Sequence, residues 1–158
     1  MIHEAQRFDV KGRKYIGSPL KYYFEDVGLR NARLGFRQHE ETHLMENILY
    51  NELRARGFSV DVGVVPIRKT VSSGERERIQ LEIDFIATLG SRKYYIQSAF
   101  SLPDEEKITQ EKTPLLNVGD SFKKIIIVHD TLNIRRDDDG ITTMNIYDFL
   151  LNEHSLDM

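Results

Sequence analysis

The sequence predicts an α/β domain with a central mixed sheet flanked by helices. Three observations carry that expectation. A long segment of helical periodicity, HEETHLMENILYNELRARG, precedes a series of β-branched and alternating segments, and a second helix-like stretch then leads into a short, continuously apolar run, KKIIIV. Helices interleaved with strands in this order define the class.

Residues 1–20 are polar and contain Gly12, Gly17 and Pro19, so they read as a connector or N-terminal arm, with residues 21–158 forming a single domain. After the aromatic segment KYYFEDVGL, the stretch LRNARLG suits a helical turn or two. In the long helix, Leu44, Met45, Ile48, Leu49, Leu53 and Ala55 fall within one broad face at about 100° per residue, and Gly57 stands where a helix stop belongs. The same spacing puts Glu52 near the centre of that face and Glu46 near its edge, as acids hydrogen-bonded to strand residues would be. FSVDVGVVPI is β-branched, and VSSGER reads as a hairpin turn. IQLEIDFIA places Ile79, Leu81, Ile83 and Phe85 on one face and Gln80, Glu82 and Asp84 on the other, because side chains alternate along a strand. KYYIQSAF is the next strand. DEEKITQEKTPLL is helical, with early acids suited to the positive end of the helix dipole. KKIIIVHD suits a strand covered on both faces. After the acidic turn DDDG, TTMNIYDFLLNE supplies a short strand and a closing helix.

The 158 residues, 40% hydrophobic and 30% charged, suit one globular domain. No apolar run approaches the ~20 residues needed to cross a bilayer. The segment MIHEAQRFDVKGRK lacks the apolar core of a secretory signal. The absence of cysteine removes disulfides, thiol catalysis and cysteine-held metals, and suits a cytoplasmic location. A net charge of −3 withholds any blanket attraction to nucleic acid, although residues 1–80 carry +3 and residues 81–158 carry −6. Lys11, Arg13, Lys14 and Lys21, interleaved with Tyr15, Tyr22 and Tyr23, suit either a weak, salt-sensitive contact to DNA or a segment packed on the domain through its tyrosines.

No phosphate-binding loop, dinucleotide fingerprint or nucleophile elbow occurs. His39-Glu40-Glu41-Thr42-His43 formally matches H-E-x-x-H. The charged Glu41 and the polar start of the helix instead suit a solvent-exposed helix terminus. His129, at the end of an apolar strand beside Asp130, reads as structural.

A dispersed constellation remains: Glu46 on the long helix, Glu82 and Asp84 on one strand, and Gln97 on the next. With the phrases KYYFEDVGLRNARLGF, HLMENILYNELRARGFSVDVG, EIDFIA, KYYIQSAF, EKTPLLNVGDSFKKIIIV and GITTMNIYDFLL, spanning nearly all of residues 21–151, the chain resembles the PD-(D/E)XK nuclease superfamily. Within it, the chain is most similar to the carboxy-terminal domain that follows the ATPase module in many prokaryotic AAA-type ATPases. The resemblance implies a restriction-endonuclease-like core in which an Asp and the Glu of E-x-K hold Mg²⁺ while the Lys supports the attacking water. Asp84 matches the Asp, and is the one residue to which the resemblance gives a metal role. Gln97-Ser98-Ala99 stands where E-x-K belongs: an amide replaces the carboxylate and a methyl the ammonium. Lys93, Lys107 and Lys112 are the lysines that would have to substitute for it.

The expectation is therefore a catalytically degenerate nuclease-like domain with a relic pocket of Glu46, Glu82, Asp84 and Gln97 and no cofactor. Its role would be binding, to an AAA-type ATPase module in the same polypeptide, to another copy of itself, or weakly to DNA. Such a chain is expected to be a fragment of a longer ATP-binding protein. A Mg²⁺-dependent DNA endonuclease with a migrated lysine is the alternative.

Overall fold

The computed structural model describes residues 1–36, 40–70 and 76–158. Among these, eight strands form one sheet: β1 (Ile2–Asp9), β2 (Lys14–Phe24), β3 (Ser59–Thr70), β4 (Arg76–Leu89), β5 (Arg92–Ala99), β6 (Lys123–Val128), β7 (Arg135–Arg136) and β8 (Ile141–Asn145). Their spatial order is β2-β1-β3-β4-β5-β6-β8-β7. The pairs β1/β3, β5/β6 and β6/β8 are parallel and the others antiparallel, so the sheet is mixed, as expected. The helices are α1 (Val27–Arg33), α2 (Glu41–Ala55), α3 (Glu105–Leu116) and α4 (Ile146–Leu151), with a 3₁₀ turn at Ser155–Asp157. No helix of the described residues is long and apolar enough to cross a membrane.

Strand β6 shows why both faces are covered. Ile125 and Ile127 pack with Met45, Leu49 and Leu53 of α2 and Phe149 of α4. Ile126 and Val128 pack with Leu115 of α3. Alternate side chains of a strand point to opposite faces, so a continuous apolar run is what a doubly covered strand requires.

Helix α2 ends in a Schellman motif. The Phe58 N–H bonds to Leu53 O at 3.1 Å and the Gly57 N–H to Arg54 O at 3.0 Å, with Gly57 in the left-handed region at φ +86°. Its buried face is Met45, Asn47, Leu49, Tyr50 and Leu53; Ala55, expected on that face, is exposed. Glu52 is a second departure, because it turns out to an ion pair with Arg56 one turn on, at 2.7 Å. The expected hairpin joins β3 to β4 in register from Arg68↔Arg78 to Thr70↔Arg76, while residues 71–75 of its turn lie outside the described residues.

Residues 1–20 are not an arm; they form β1 and most of β2. Strand β1 pairs with β2 on one side and, through Arg7–Asp9, with Val62–Val64 of β3 on the other. The sequence signal is weak because Ala5 is the one small apolar residue that β1 sends fully into the core. The breakers that suggested a connector have local roles. Asp9 Oδ1 accepts the N–H groups of Lys11 (3.1 Å) and Gly12 (2.8 Å), building the turn. Gly17 and Pro19 sit where β2 bulges away from β1, between the pairs Arg7↔Ile16 and Ala5↔Lys21, on the outer edge of the sheet where proline removes no ladder bond.

Candidate acid cluster at the fork of β4 and β5

Two asparagines of α2 hold the end of β2. Asn47 accepts the Phe24 N–H at Oδ1 (2.9 Å) and donates from Nδ2 to Phe24 O (2.6 Å), and Asn51 Nδ2 donates to Phe24 O (2.9 Å) and Glu25 O (3.0 Å). With the strand fixed there, Tyr23 stacks on Tyr50 at 4.1 Å and 13°. Glu46 lies one helical turn before Tyr50, and Lys21 lies two residues before Tyr23 on the same side of its strand. The two therefore meet.

Lys21 Nζ is 2.9 Å from Glu46 Oε1, 2.7 Å from Glu82 Oε1 and 3.7 Å from Asp84 Oδ1. Tyr23 donates its hydroxyl to Glu46 Oε1 at 2.6 Å. From β1, Arg7 Nη1 reaches Glu82 Oε2 at 2.6 Å while its Nε donates to Pro19 O in the bulge of β2 (2.9 Å).

Asp84 stands where β4 and β5 part. Their ladder ends at Phe85↔Ile96, and two side chains continue it. Asp84 Oδ2 accepts the Ser98 N–H at 2.8 Å, and Gln97 Oε1 accepts the Asp84 N–H at 3.3 Å. A β-bulge aims Asp84 here. Between Asp61↔Ile86 and Gly63↔Ile83, β4 has one more residue than β3, which shifts the alternation. Ile83 and Phe85, expected on one face, consequently pack in different core clusters on opposite sides of the sheet.

Burial, then the proximity of Glu46, pushes the Asp84 carboxyl up to about 7 against the opposing pull of Lys21 and the Ser98 N–H. Burial alone would lower the Lys21 pKa, but Glu46, Asp84 and Glu82 raise it well above that of an ordinary lysine. Glu82 is held below its usual range, its burial outweighed by Lys21 and Arg7. Burial and then Glu46 raise the Tyr23 hydroxyl far beyond its ordinary value, so it stays a donor.

The structure thus brings Glu46, Glu82, Asp84 and Gln97 together. It places the other candidates elsewhere. Lys93 lies over the Phe122 ring (5.1 Å), Lys107 pairs with Glu111 (2.5 Å), and Lys112 pairs with Asp137 and Asp139 (2.7 and 3.1 Å). Ala99 is buried in the apolar cluster under α3. His43 is exposed with Nδ1 on Glu40, and His39 lies outside the described residues. His129 stacks on Phe100 at 4.7 Å. Of the three tyrosines near the amino end, Tyr23 is core, whereas Tyr15 and Tyr22 are each 57% exposed.

Sequence reasoning missed Arg7 because it took residues 1–20 for a connector, and missed Lys21 because it read that lysine as one of a basic set interleaved with tyrosines. The signal was the aromatic run Tyr22-Tyr23-Phe24 directly after Lys21, residue types that favour a strand. Beside the cluster a cleft of about 250 Å³ is lined by Lys21, Tyr22, Tyr23, Arg30, His43, Glu46 and Asn47.

Mg²⁺ does not fit this donor set. Both Glu82 oxygens face cations, Glu46 Oε1 takes both Tyr23 and Lys21, and the Gln97 oxygen is turned to a backbone N–H. A dication would have to sit against the Lys21 ammonium. Among the described residues no three His, Cys, Asp or Glu are arranged to hold a metal ion.

No family model matches the chain. It is 32% identical over 151 residues to an uncharacterised protein of Haemophilus influenzae, a match covering 96% of this chain and 34% of that protein. The chain therefore spans about a third of the length of the curated relative it matches.

Proposed function

We propose that this chain is a nuclease-like domain without a working metal centre, of the kind that follows the ATPase module in prokaryotic AAA-type ATPases, and that it acts by binding. The observation that carries this reading is what Asp84, Gln97 and Ala99 do. The first two serve as ladder substitutes at the fork of β4 and β5, and the third fills an apolar core where an amine would be needed. The succession α2, β3, β4, β5, α3, β6, with an antiparallel three-stranded meander and β6 parallel to β5, is the arrangement that the resemblance calls for, and so supports it. The matched segment makes up 34% of the Haemophilus protein, which leaves length there for a second module. The partner is an ATPase module or a second copy, engaged through exposed aromatics such as Tyr22 and Phe36.

The alternative, a Mg²⁺-dependent endonuclease with a migrated lysine, draws support from Lys21, an amine reaching Asp84 from another strand. Incubation of the purified protein with plasmid DNA and Mg²⁺ or Mn²⁺ separates the two. No nicking is expected; nicking abolished by Asp84→Ala establishes the endonuclease.

A further inference from the structure

Strands β3 and β4 run on past their neighbours in the sheet. Strand β1 pairs with β3 at Val62–Val64 and β5 leaves β4 after Phe85↔Ile96, whereas β3 and β4 stay in register as far as Thr70↔Arg76. From Val65 to Thr70 they form a two-stranded ribbon about 20 Å long, at ~3.4 Å per residue. Its two faces differ. On one, Val65↔Leu81 and Ile67↔Ile79 share a face, with Val65, Ile67 and Leu81 in the core cluster under α3, and beyond them Lys69 stands opposite Glu77. The other face reads Pro66↔Gln80, Arg68↔Arg78 and Thr70↔Arg76. It carries three exposed arginines and no acid, and it sets Arg68 directly opposite Arg78, a like-charge pairing that destabilises a sheet. No ion pair among the described residues involves these arginines. Lys14 extends the face, since it lies in the row Lys14↔Asp9↔Val64↔Glu82 next to Gln80. A cleft of about 500 Å³ between them is lined by Asp9, Lys14, Tyr15, Ile16, Arg78 and Gln80, with Asp9 Oδ1 occupied by its own turn.

We propose that the arginine face of the β3–β4 ribbon, together with Lys14, holds the phosphate backbone of a nucleic acid without reading its bases. This goes beyond the degenerate-centre reading and does not depend on it, because neither a metal nor cleavage enters. The same two strands match Lys69 to Glu77 on one face and oppose Arg68 to Arg78 on the other, so the unmatched charge belongs to one surface. A bound polyanion relieves the repulsion that this surface carries in the free protein. Guanidinium groups match phosphate oxygens with paired N–H···O bonds, and alternate residues of a strand repeat every ~7 Å, so Arg76 and Arg78 can follow a chain of phosphates. An acidic protein surface fits less well. Protein interfaces centre on apolar and aromatic side chains, and none of the exposed large hydrophobic residues lies on the ribbon.

The test uses the full chain in EDTA, so it is independent of the nicking assay. A fluorescent duplex of about 20 base pairs and mixed sequence is titrated by anisotropy between about 50 and 200 mM salt. Binding is expected, with log affinity falling against log salt at a slope of about −3 to −4 for the four cations. Arg68→Gln combined with Arg78→Gln should weaken binding at the lower salt by about tenfold or more and make the slope shallower by about 2. That variant should melt no lower than wild type, because the cross-strand repulsion is relieved. The same charge change on β7 at the far edge of the sheet, Arg135→Gln with Arg136→Gln, should leave affinity and slope nearly unchanged. No binding at the lower salt, equal affinity in wild type and the ribbon variant, or an equal loss from the β7 variant overturns the proposal. Displacement of the duplex by polyglutamate at equal charge concentration overturns it in favour of an acidic protein partner. If the ribbon variant does not fold, Lys14→Gln with Arg76→Gln takes its place, with the same change of slope expected and an unchanged slope decisive against the proposal.

Discussion

Asp84 is asked to be both a hydrogen-bond acceptor for β5 and a member of a crowded acid cluster, and the two demands have opposite signs. The Ser98 N–H favours its ionised form, while burial and Glu46 disfavour it more strongly, leaving it near 7 against an ordinary 3.8. The folded chain then binds more protons at this carboxyl than the unfolded chain does between those two values. Stability from this group therefore falls as pH rises through that window, by up to about 1.4 kcal/mol per pH unit. Glu82 acts in the reverse sense. Its depressed pKa gives stability above the ordinary glutamate value, and that stability is lost on acidification. Asp84→Asn keeps an oxygen for the Ser98 N–H and removes the titration. Denaturant unfolding should find the variant more stable than wild type near about pH 8, by on the order of 1 kcal/mol or more, with the advantage shrinking towards about pH 5. An advantage constant across that range would mean that Asp84 is ionised in the fold throughout.

Among the elements, α2 and the β6 run were legible because each carries an unambiguous pattern: helical spacing with a glycine stop, and four consecutive buried aliphatics. Strand β4 was legible as a strand but not in its phase, because a bulge depends on the pairing of two strands. IQLEIDFIA alternates from Ile79 to Phe85 on paper, yet its partner omits a residue opposite Asp84. The residue that permits this is Gly63. A Cβ there would lie 2.9 Å from Ile83 Cβ and 3.2 Å from Ile86 Cγ1, so the tight approach of β3 to the bulge requires glycine. Gly63→Ala should shift the urea midpoint down with an unchanged slope, a loss of about 1–3 kcal/mol from overpacking. It should also disturb Asp84 more than distant sites, read as a shift of the Asp84 and Ser98 amide resonances. A stability within error of wild type would show that the bulge relaxes without cost.

For the molecule as a whole, the largest gap between sequence and structure is the β1–β2 hairpin. Its residues are polar because it lies at the end of the sheet, where half its surface meets water, and a polar segment with glycine and proline has the composition of a connector. Its attachments nevertheless run deep. Ala5 and Tyr23 are buried in the main core, the Val10 N–H bonds to Val64 O at 3.0 Å, Phe24 is clasped by Asn47, and Lys21 and Arg7 neutralise acids contributed by α2 and β4. A segment bound in this way cannot open without exposing the Tyr23–Tyr50 stack and leaving Glu46 and Glu82 unpaired, so its opening should coincide with global unfolding. Native-state hydrogen exchange distinguishes this from a tethered arm. The amides of Val10 and Phe24, each bonded within the fold, should exchange with the slowest core amides of β6, and should lose protection together with them as denaturant rises. Exchange of these two amides at rates typical of an unstructured peptide, with β6 still protected, would reduce the hairpin to an appendage and free Lys21 from the acids it is placed to neutralise.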